Sequence, residues 1–124
     1  MYSELTLKEF EWYLRDLFFR SSKSNREISI LKKENVAENL KKYLRYKNLE
    51  ILEIYNLLDI VLDKMHNDNI IKINEKNIEF RSKIERKQCD KCFYINYLFE
   101  NEIIKCKRCN SPDLKEFPKK KDIQ

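Results

Sequence analysis

Three stretches of the chain repeat apolar side chains at the three- and four-residue intervals of an amphipathic helix. These repeats predict helices over about residues 5–20, 33–47 and 49–66. Between the first two helices lie a polar break at 21–26 and an alternating stretch at 27–30 that favours a short strand. The third helix has the widest apolar stripe, so we expect it to be the most deeply buried element.

A hairpin pattern follows the third helix. Ile71 and Ile73 alternate with polar residues on one arm, and Ile78 and Phe80 do so on the other, around a turn at 74–77. This alternation places all four apolar side chains on one face of a two-stranded hairpin. The order helix, strand, helix, helix, hairpin resembles that of a winged helix-turn-helix domain. We therefore predict an α+β chain with a winged-helix-like domain at 1–82, whose hairpin is the wing, and a joint at 83–87.

The first predicted helix carries more apolar surface than one core contact needs. Its regular stripe consists of Leu7, Phe10, Leu14, Leu17 and Phe18. Trp12, Tyr13 and Phe19 widen this stripe. We interpret the excess as a sign of a well-buried helix, with a contact in a homodimer as the alternative.

The four cysteines form two Cys-x-x-Cys pairs, Cys89 with Cys92 and Cys106 with Cys109, separated by thirteen residues. Each pair forms a tight turn that brings two sulfurs together, and two such turns complete a tetrahedral thiolate cage. Four thiolates leave no coordination position open, so we predict one structural Zn²⁺ in a zinc ribbon at 88–118. A segment of this length buries too little surface to fold alone, and zinc binding would supply the missing stability.

Two other uses of the cysteines are less favoured. A pair of disulfides would suit a secreted chain, and iron in a rubredoxin-like site would suit electron transfer, for which the basic surroundings are unfavourable. Zinc ribbons usually have glycine directly after each pair, where φ tends to be positive, but this chain has Phe93 and Asn110 there. Because a bulky side chain disfavours positive φ, we expect the first cysteine loop to be distorted.

The composition excludes several classes of enzyme. The 124 residues include no glycine, which rules out glycine-rich phosphate loops, dinucleotide-binding fingerprints and nucleophile elbows. With one histidine and its cysteines assigned to metal, the chain has no recognisable nucleophile, and we expect no enzymatic activity. No apolar run reaches the ~18–20 residues that span a bilayer. The first residues enter an amphipathic pattern directly, which predicts no signal peptide and a cytoplasmic protein, or a nuclear one in a eukaryote.

The net charge of +5 lies entirely in the last third of the chain. Residues 81–124 contain 12 Lys/Arg and 7 Asp/Glu, whereas residues 1–80 contain 14 of each. Near the cysteines, cations interleave with Phe93, Tyr94 and Tyr97, which together supply partners for phosphates and for bases. We therefore predict a nucleic-acid partner, DNA rather than RNA, and a basic tail at 119–124. The predicted contact residues are Lys41, Lys42, Arg45, Lys47, Lys72, Lys76, Arg81, Lys105, Lys107, Arg108, Lys119, Lys120 and Lys121.

The third helix, by contrast, is acidic. Its charged residues are Glu50, Glu53, Asp59, Asp63, Lys64 and Asp68. An acidic helix is repelled by phosphates, so either the second helix and the hairpin contact nucleic acid or this domain binds a protein. Asp59, Asp63 and His66 share one face of this helix and form a candidate metal or acid–base site. We favour a solvent-facing polar stripe as their interpretation.

The cysteine-bearing segment resembles a known family. Cys89 to Phe93, followed by Ile-Lys-Cys-Lys-Arg-Cys-Asn-Ser-Pro-Asp-Leu at 104–114, resembles the zinc ribbon that ends a group of predicted archaeal transcription regulators. In that group a helix-turn-helix domain precedes the ribbon, which implies a role in transcription regulation. The ribbon also resembles the zinc domain of hydrogenase nickel chaperones. Those begin Met-His-Glu with a nickel-binding histidine, whereas this chain begins Met1-Tyr2-Ser3-Glu4, so a metal-handling accessory protein is the less favoured alternative.

Overall fold

In a computed structural model that describes residues 4–22, 27–44 and 47–117, three helices and one strand precede a run of five strands. The elements within these residues are α1 (Glu4–Ser21), β1 (Ile28–Lys32), α2 (Lys33–Tyr43), α3 (Ile51–Asn67), β2 (Ile71–Asn74), β3 (Asn77–Arg81), β4 (Ile84–Cys89), β5 (Ile95–Phe99) and β6 (Leu114–Glu116). The strands form two small antiparallel sheets, which confirms the predicted α+β class. Within the described residues, no helix combines the length and the apolar character that crossing a membrane requires.

The three predicted helices are confirmed, with shifted ends. α2 ends at Tyr43 rather than near residue 47, because Leu44, with φ −101° and ψ 20°, leaves the helical conformation. α3 begins at Ile51 because the side chains of Glu50 and Glu53 cap its first turn reciprocally. Local backbone conformation and side-chain capping, which the apolar pattern does not encode, therefore fix these two helix ends.

The first sheet has the strand order β1-β3-β2. Ile71 lies opposite Phe80 and Ile73 opposite Ile78, so the predicted hairpin and its shared apolar face are confirmed. β1 adds a third strand to this sheet. The sequence pattern does not indicate which face of β1 is buried. Ser29 is buried on the core side with its hydroxyl 2.6 Å from that of Ser82, so the flanking isoleucines of β1 face solvent.

The second sheet has the strand order β5-β4-β6. β4 pairs with β5 from Ile84 opposite Phe99 to Gln88 opposite Ile95, and with β6 where Cys89 lies opposite Leu114. Residues 84–87, which belong to the predicted joint, are the first four residues of β4. The chain therefore passes from the first sheet to the second through residues 82 and 83.

α1 packs against both sheets. Phe18 stacks on Phe80 of the first sheet, with ring centroids 4.7 Å apart, and lies edge-on to Phe99 of the second at 6.1 Å. The rings of Trp12 and Phe19 pack on the Tyr97 ring of β5, with centroid distances of 5.3 and 5.4 Å. The wide aromatic stripe of α1 thus covers the second sheet as well as the helices, and the two halves of the chain share one hydrophobic core.

Candidate metal centre

The four cysteines lie in two loops that face each other. Cys89 ends β4 and Cys92 lies in the turn to β5, whereas Cys106 and Cys109 lie in the connection from β5 to β6. The Sγ atoms of Cys89 and Cys109 are 3.5 Å apart, as are those of Cys92 and Cys106, and all four lie within 4.8 Å of one another. All four are free thiols. The residues predicted as metal ligands are therefore brought together in a group that could hold one ion.

The two cysteine loops have the same backbone geometry. The Phe93 amide donates to the Cys89 carbonyl at 3.0 Å, and the Asn110 amide donates to the Cys106 carbonyl at 2.9 Å. Phe93 and Asn110 have φ values of 63° and 65°, the positive φ expected at these positions. The predicted distortion of the first loop is absent, because Phe93 adopts the positive φ despite its Cβ atom, and its side chain is 69% exposed.

Replacing Phe93 with glycine should stabilise the protein. The left-handed conformation costs a non-glycine residue about 1–2 kcal/mol, of which the greater flexibility of glycine in the unfolded chain offsets part. We expect Phe93→Gly to raise the free energy of unfolding by about 0.5–1 kcal/mol in urea titrations. Asn110→Gly is the matched control and should gain less, because asparagine tolerates this conformation. Destabilisation by Phe93→Gly would show that the Phe93 ring contributes to folding.

Backbone amides surround the sulfurs and favour their thiolate form. The Lys91 and Cys92 amides donate to Cys89 Sγ at 3.4 and 3.5 Å, and the Arg108 amide donates to Cys106 Sγ at 3.4 Å. The Cys92 amide is the main cause of the lowered pKa of Cys89. Burial opposes ionisation of Cys106, but the amides around it outweigh burial and lower its pKa to about 6.

Cys92 behaves in the opposite way. The Tyr94 amide lowers the pKa of Cys92, but burial and the three neighbouring sulfurs together raise it to about 12. A cation at this centre would favour ionisation of all four cysteines. Metal binding at this centre should release protons and weaken at acidic pH.

The donor set fits a tetrahedral thiophilic ion. A Zn–S bond of about 2.3 Å corresponds to sulfur–sulfur separations of about 3.8 Å. The Sγ atoms of Cys89 and Cys109, and those of Cys92 and Cys106, are 3.5 Å apart. Among the residues that the structure describes, this is the one group of three or more His, Cys, Asp or Glu side chains placed to hold a metal. Asp59, Asp63 and His66 do not form such a group, and Asp59 instead pairs with Lys33 of α2.

A buried ion pair ties α1 to the second cysteine loop. Both Nη atoms of Arg15 in α1 donate to Glu102, with Nη1–Oε1 and Nη2–Oε2 distances of 2.6 and 3.0 Å. Glu102 also accepts from the Phe99 amide at 3.0 Å and from Lys107 Nζ at 2.6 Å. The Lys107 amide in turn donates to the side chain of the buried Asn96 at 2.8 Å. We call Arg15, Glu102 and Lys107 the interface anchor.

Sequence reasoning missed the interface anchor, although one signal was present. Arg15 lies between Trp12 and Phe19 on the helical face of α1, so it is a cation inside an aromatic stripe. A charged residue in such a position requires a buried partner. The partner could not have been identified, because Glu102 is 87 residues away and stands in a polar loop of the sequence.

The stability that Glu102 contributes should be lost in acid. Burial disfavours its charge, but Arg15 and Lys107 outweigh burial and lower the pKa of Glu102 to about 2. Since this lies below the ordinary value of about 4.3, the contribution is complete above pH ~5 and disappears as pH falls towards 2. Allowing for solvent screening, we expect the contribution to be about 2 kcal/mol.

Chemical denaturation of the wild type and of a Glu102→Gln variant at several pH values would measure the stability that ionised Glu102 contributes. The difference in unfolding free energy between wild type and variant should shrink from neutral pH to pH ~3. Because loss of the proposed metal ion would itself unfold residues 84–117 and remove the Arg15–Glu102 pair, the comparison is made only at pH values at which metal analysis shows that both proteins retain their ion. A difference that stays constant with pH would contradict the ion-paired state of Glu102.

The predicted nucleic-acid contacts fall into three exposed regions of the structure. Lys41 and Lys42 end α2, a second group lies on the first hairpin, and a third lies around the second cysteine loop. The hairpin group is Lys72, Lys76 and Arg81, and the loop group is Lys105, Lys107 and Arg108. Lys47 pairs with Glu9 of α1. The remaining predicted contacts lie outside the described residues: Arg45, Lys119, Lys120 and Lys121.

The chain was compared with protein-family models, with curated proteins and with solved structures. None of the three comparisons finds a significant match. The cysteine centre, the strand order and the charged surface are therefore the features that indicate a function.

Proposed function

We propose that this chain is a non-enzymatic nucleic-acid-binding protein with a winged-helix-like region at 1–82 and a zinc ribbon at 88–118. The strand order β1-β3-β2 is the observation that carries the proposal. It adds the strand between the first two helices to the far strand of the hairpin, as in winged-helix domains. The resemblance of residues 89–114 to the ribbon of predicted transcription regulators supports a role in transcription regulation.

One Zn²⁺ is the proposed ion at the four cysteines. Four soft thiolates at near-tetrahedral separations suit zinc and leave no position for a substrate. When bound, the ion would supply folding energy and no chemistry. Cys89, Cys92, Cys106 and Cys109 would hold it, and the amides that point at their sulfurs would stabilise the thiolate charge.

The proposed phosphate contacts come from α2 and the hairpin. α3 carries Asp59 and Asp63 on its exposed surface, so it is repelled by a phosphate backbone. Lys41 and Lys42 are exposed at the end of α2, and Lys76 stands at the hairpin turn. These side chains would position the protein on nucleic acid and would contribute little to reading its sequence.

Salt dependence of binding tests this proposal. If about five phosphates are neutralised, the logarithm of the association constant for random-sequence DNA should fall linearly with the logarithm of the salt concentration, with a slope of about −4 to −5. The double variant Lys72→Gln/Lys76→Gln should make the slope about two units shallower, since each contact contributes about 0.9. Lys83→Gln, an exposed lysine outside the predicted contacts, is the matched control and should leave the slope unchanged. An affinity that does not vary with salt would remove the proposal.

A protein-interaction subunit of a larger assembly is the second candidate function. The observation that favours it lies on α3, where Leu52 and Ile60 are 73% and 46% exposed beside acidic residues. Apolar residues with charged neighbours are typical of protein-contact surfaces. A pull-down with the full chain tests this function. Bound proteins that remain after nuclease treatment, and that the double variant Leu52→Ser/Ile60→Ser no longer binds, would favour it. Loss of every partner after nuclease treatment would count against it.

A further inference from the structure

A groove of about 590 Å³ runs between α1, the end of α3 and the second cysteine loop. Four aromatic rings and five basic side chains line it, together with two glutamates. Its volume falls within the ~300–1,000 Å³ of pockets that enclose small ligands. Neither the metal centre nor the proposed phosphate contacts on α2 and the hairpin make use of this groove.

The aromatic side of the groove is held in place before any ligand arrives. The Trp12 indole N–H donates to the Ile95 carbonyl at 2.7 Å. Trp12 also lies edge-on to Tyr13 and to Tyr97, with both ring centroids 5.3 Å away. These contacts fix three neighbouring rings, so a flat ligand ring could pack against them with little loss of side-chain entropy.

The charge of the groove favours an anion. Both of its glutamates are already paired, Glu9 with Lys47 at 2.9 Å, and Glu11 with Arg15 at 2.9 Å and Lys64 at 3.2 Å. Arg15, Lys47 and Lys64 are thus each paired with a carboxylate. Arg108 is different, because no carboxylate of the described residues pairs with its guanidinium. The Arg108 guanidinium lies over the Tyr94 ring, 6.0 Å from its centroid. A planar cation beside an aromatic ring is suited to a phosphate and the base attached to it.

From this arrangement we infer that the groove binds one unpaired nucleotide of a single-stranded nucleic acid. The base packs against Tyr94 and the fixed aromatic side, and its phosphate pairs with Arg108. A base inside a duplex is covered by its neighbours and cannot enter a groove, so the protein prefers single strands to duplexes. This inference rests on the proposed nucleic-acid-binding function, and it names the form of nucleic acid that is recognised.

Fluorescence anisotropy with labelled oligo-dT, and with a duplex of the same length, tests the inference on the full chain. We expect wild type to bind the single strand at least about tenfold more tightly, which is the contribution of one stacked base. Tyr94→Leu, which removes the π-face, should lose about tenfold in single-strand affinity and little in duplex affinity. Phe117→Leu is the matched control, an exposed aromatic outside both the groove and the predicted contacts, and should bind as wild type does.

Arg108→Gln is the second variant, which keeps the backbone amide on Cys106 and should also weaken single-strand binding several-fold. Unchanged zinc content in both variants would show that the cysteine centre is intact. Equal affinity for strand and duplex, or unchanged binding by both variants, would overturn the inference while leaving the proposed function standing. Displacement of oligo-dT by thymidine 5′-monophosphate at equal nucleotide concentration would also overturn it, because the groove would then be a mononucleotide site. Failure to bind either probe would contradict the proposed function itself.

Discussion

Removal of the proposed zinc ion should unfold residues 84–117 and destabilise the helices that pack against them. The second sheet has three short strands, and its connection through the cysteine loops is held by four sulfurs. Structural zinc supplies about 10–16 kcal/mol of apparent binding energy in small zinc domains. Because the two halves share one core, we expect chelation under reducing conditions to lower the unfolding free energy of the whole chain by more than about 4 kcal/mol. Circular dichroism during titration with a strong chelator measures this loss.

Substitution of single cysteines separates metal binding from packing. Cys106 is buried and Cys109 is exposed, so packing alone predicts a large effect at the first position and almost none at the second. If both are ligands, Cys109→Ser should destabilise the protein nearly as much as Cys106→Ser. Lys91→Ser, an exposed change between the first two cysteines, should have little effect. A silent Cys109→Ser variant would contradict four-sulfur coordination.

Loss of Arg15 should destabilise the protein strongly. The Arg15 side chain is 6% exposed, and Arg15→Met would leave the Glu102 carboxylate buried without its main partner. Removing one partner of a buried ion pair costs about 3–5 kcal/mol. Lys115→Met is the control for an ion pair that lies at the surface. The side chains of Lys115 and Asp90 are 66% and 43% exposed, so the expected cost is under about 1 kcal/mol.

A double-mutant cycle distinguishes loss of the ion pair from loss of packing. Arg15→Met combined with Glu102→Gln removes both charges, so the double variant should be more stable than the sum of the single changes predicts. We expect a coupling energy of about 1–3 kcal/mol in urea titrations. Additive effects would show that Arg15 and Glu102 stabilise the fold independently of each other.

The elements that the sequence predicts well are those whose apolar spacing has a single interpretation. The stripe of α3 and the alternation of Ile71, Ile73, Ile78 and Phe80 each specify one face, and the structure buries that face. Each Cys-x-x-Cys pair needs only a tight local turn to bring its own two sulfurs together, and the need of a metal ion for four ligands predicts that the two pairs meet. Local pattern was sufficient in these cases.

The features that the sequence could not predict depend on contacts between distant residues. The alternation in β1 is compatible with either face, and pairing with β3 buries Ser29 rather than its isoleucine neighbours. Residues 83–87 read as a polar joint, because β4 is charged and its burial comes from α1 and the flanking strands. The Arg15–Glu102 pair joins positions that no local pattern relates.

Metal analysis of the purified, reduced chain tests the central claim most directly. Native mass spectrometry, combined with thiol labelling before and after chelation, counts the bound ion and the cysteines that it protects. We predict one zinc ion per chain and four cysteines that react only after the ion has been removed. A folded chain that carries no metal, or whose sulfurs are joined in two disulfides, would contradict the account.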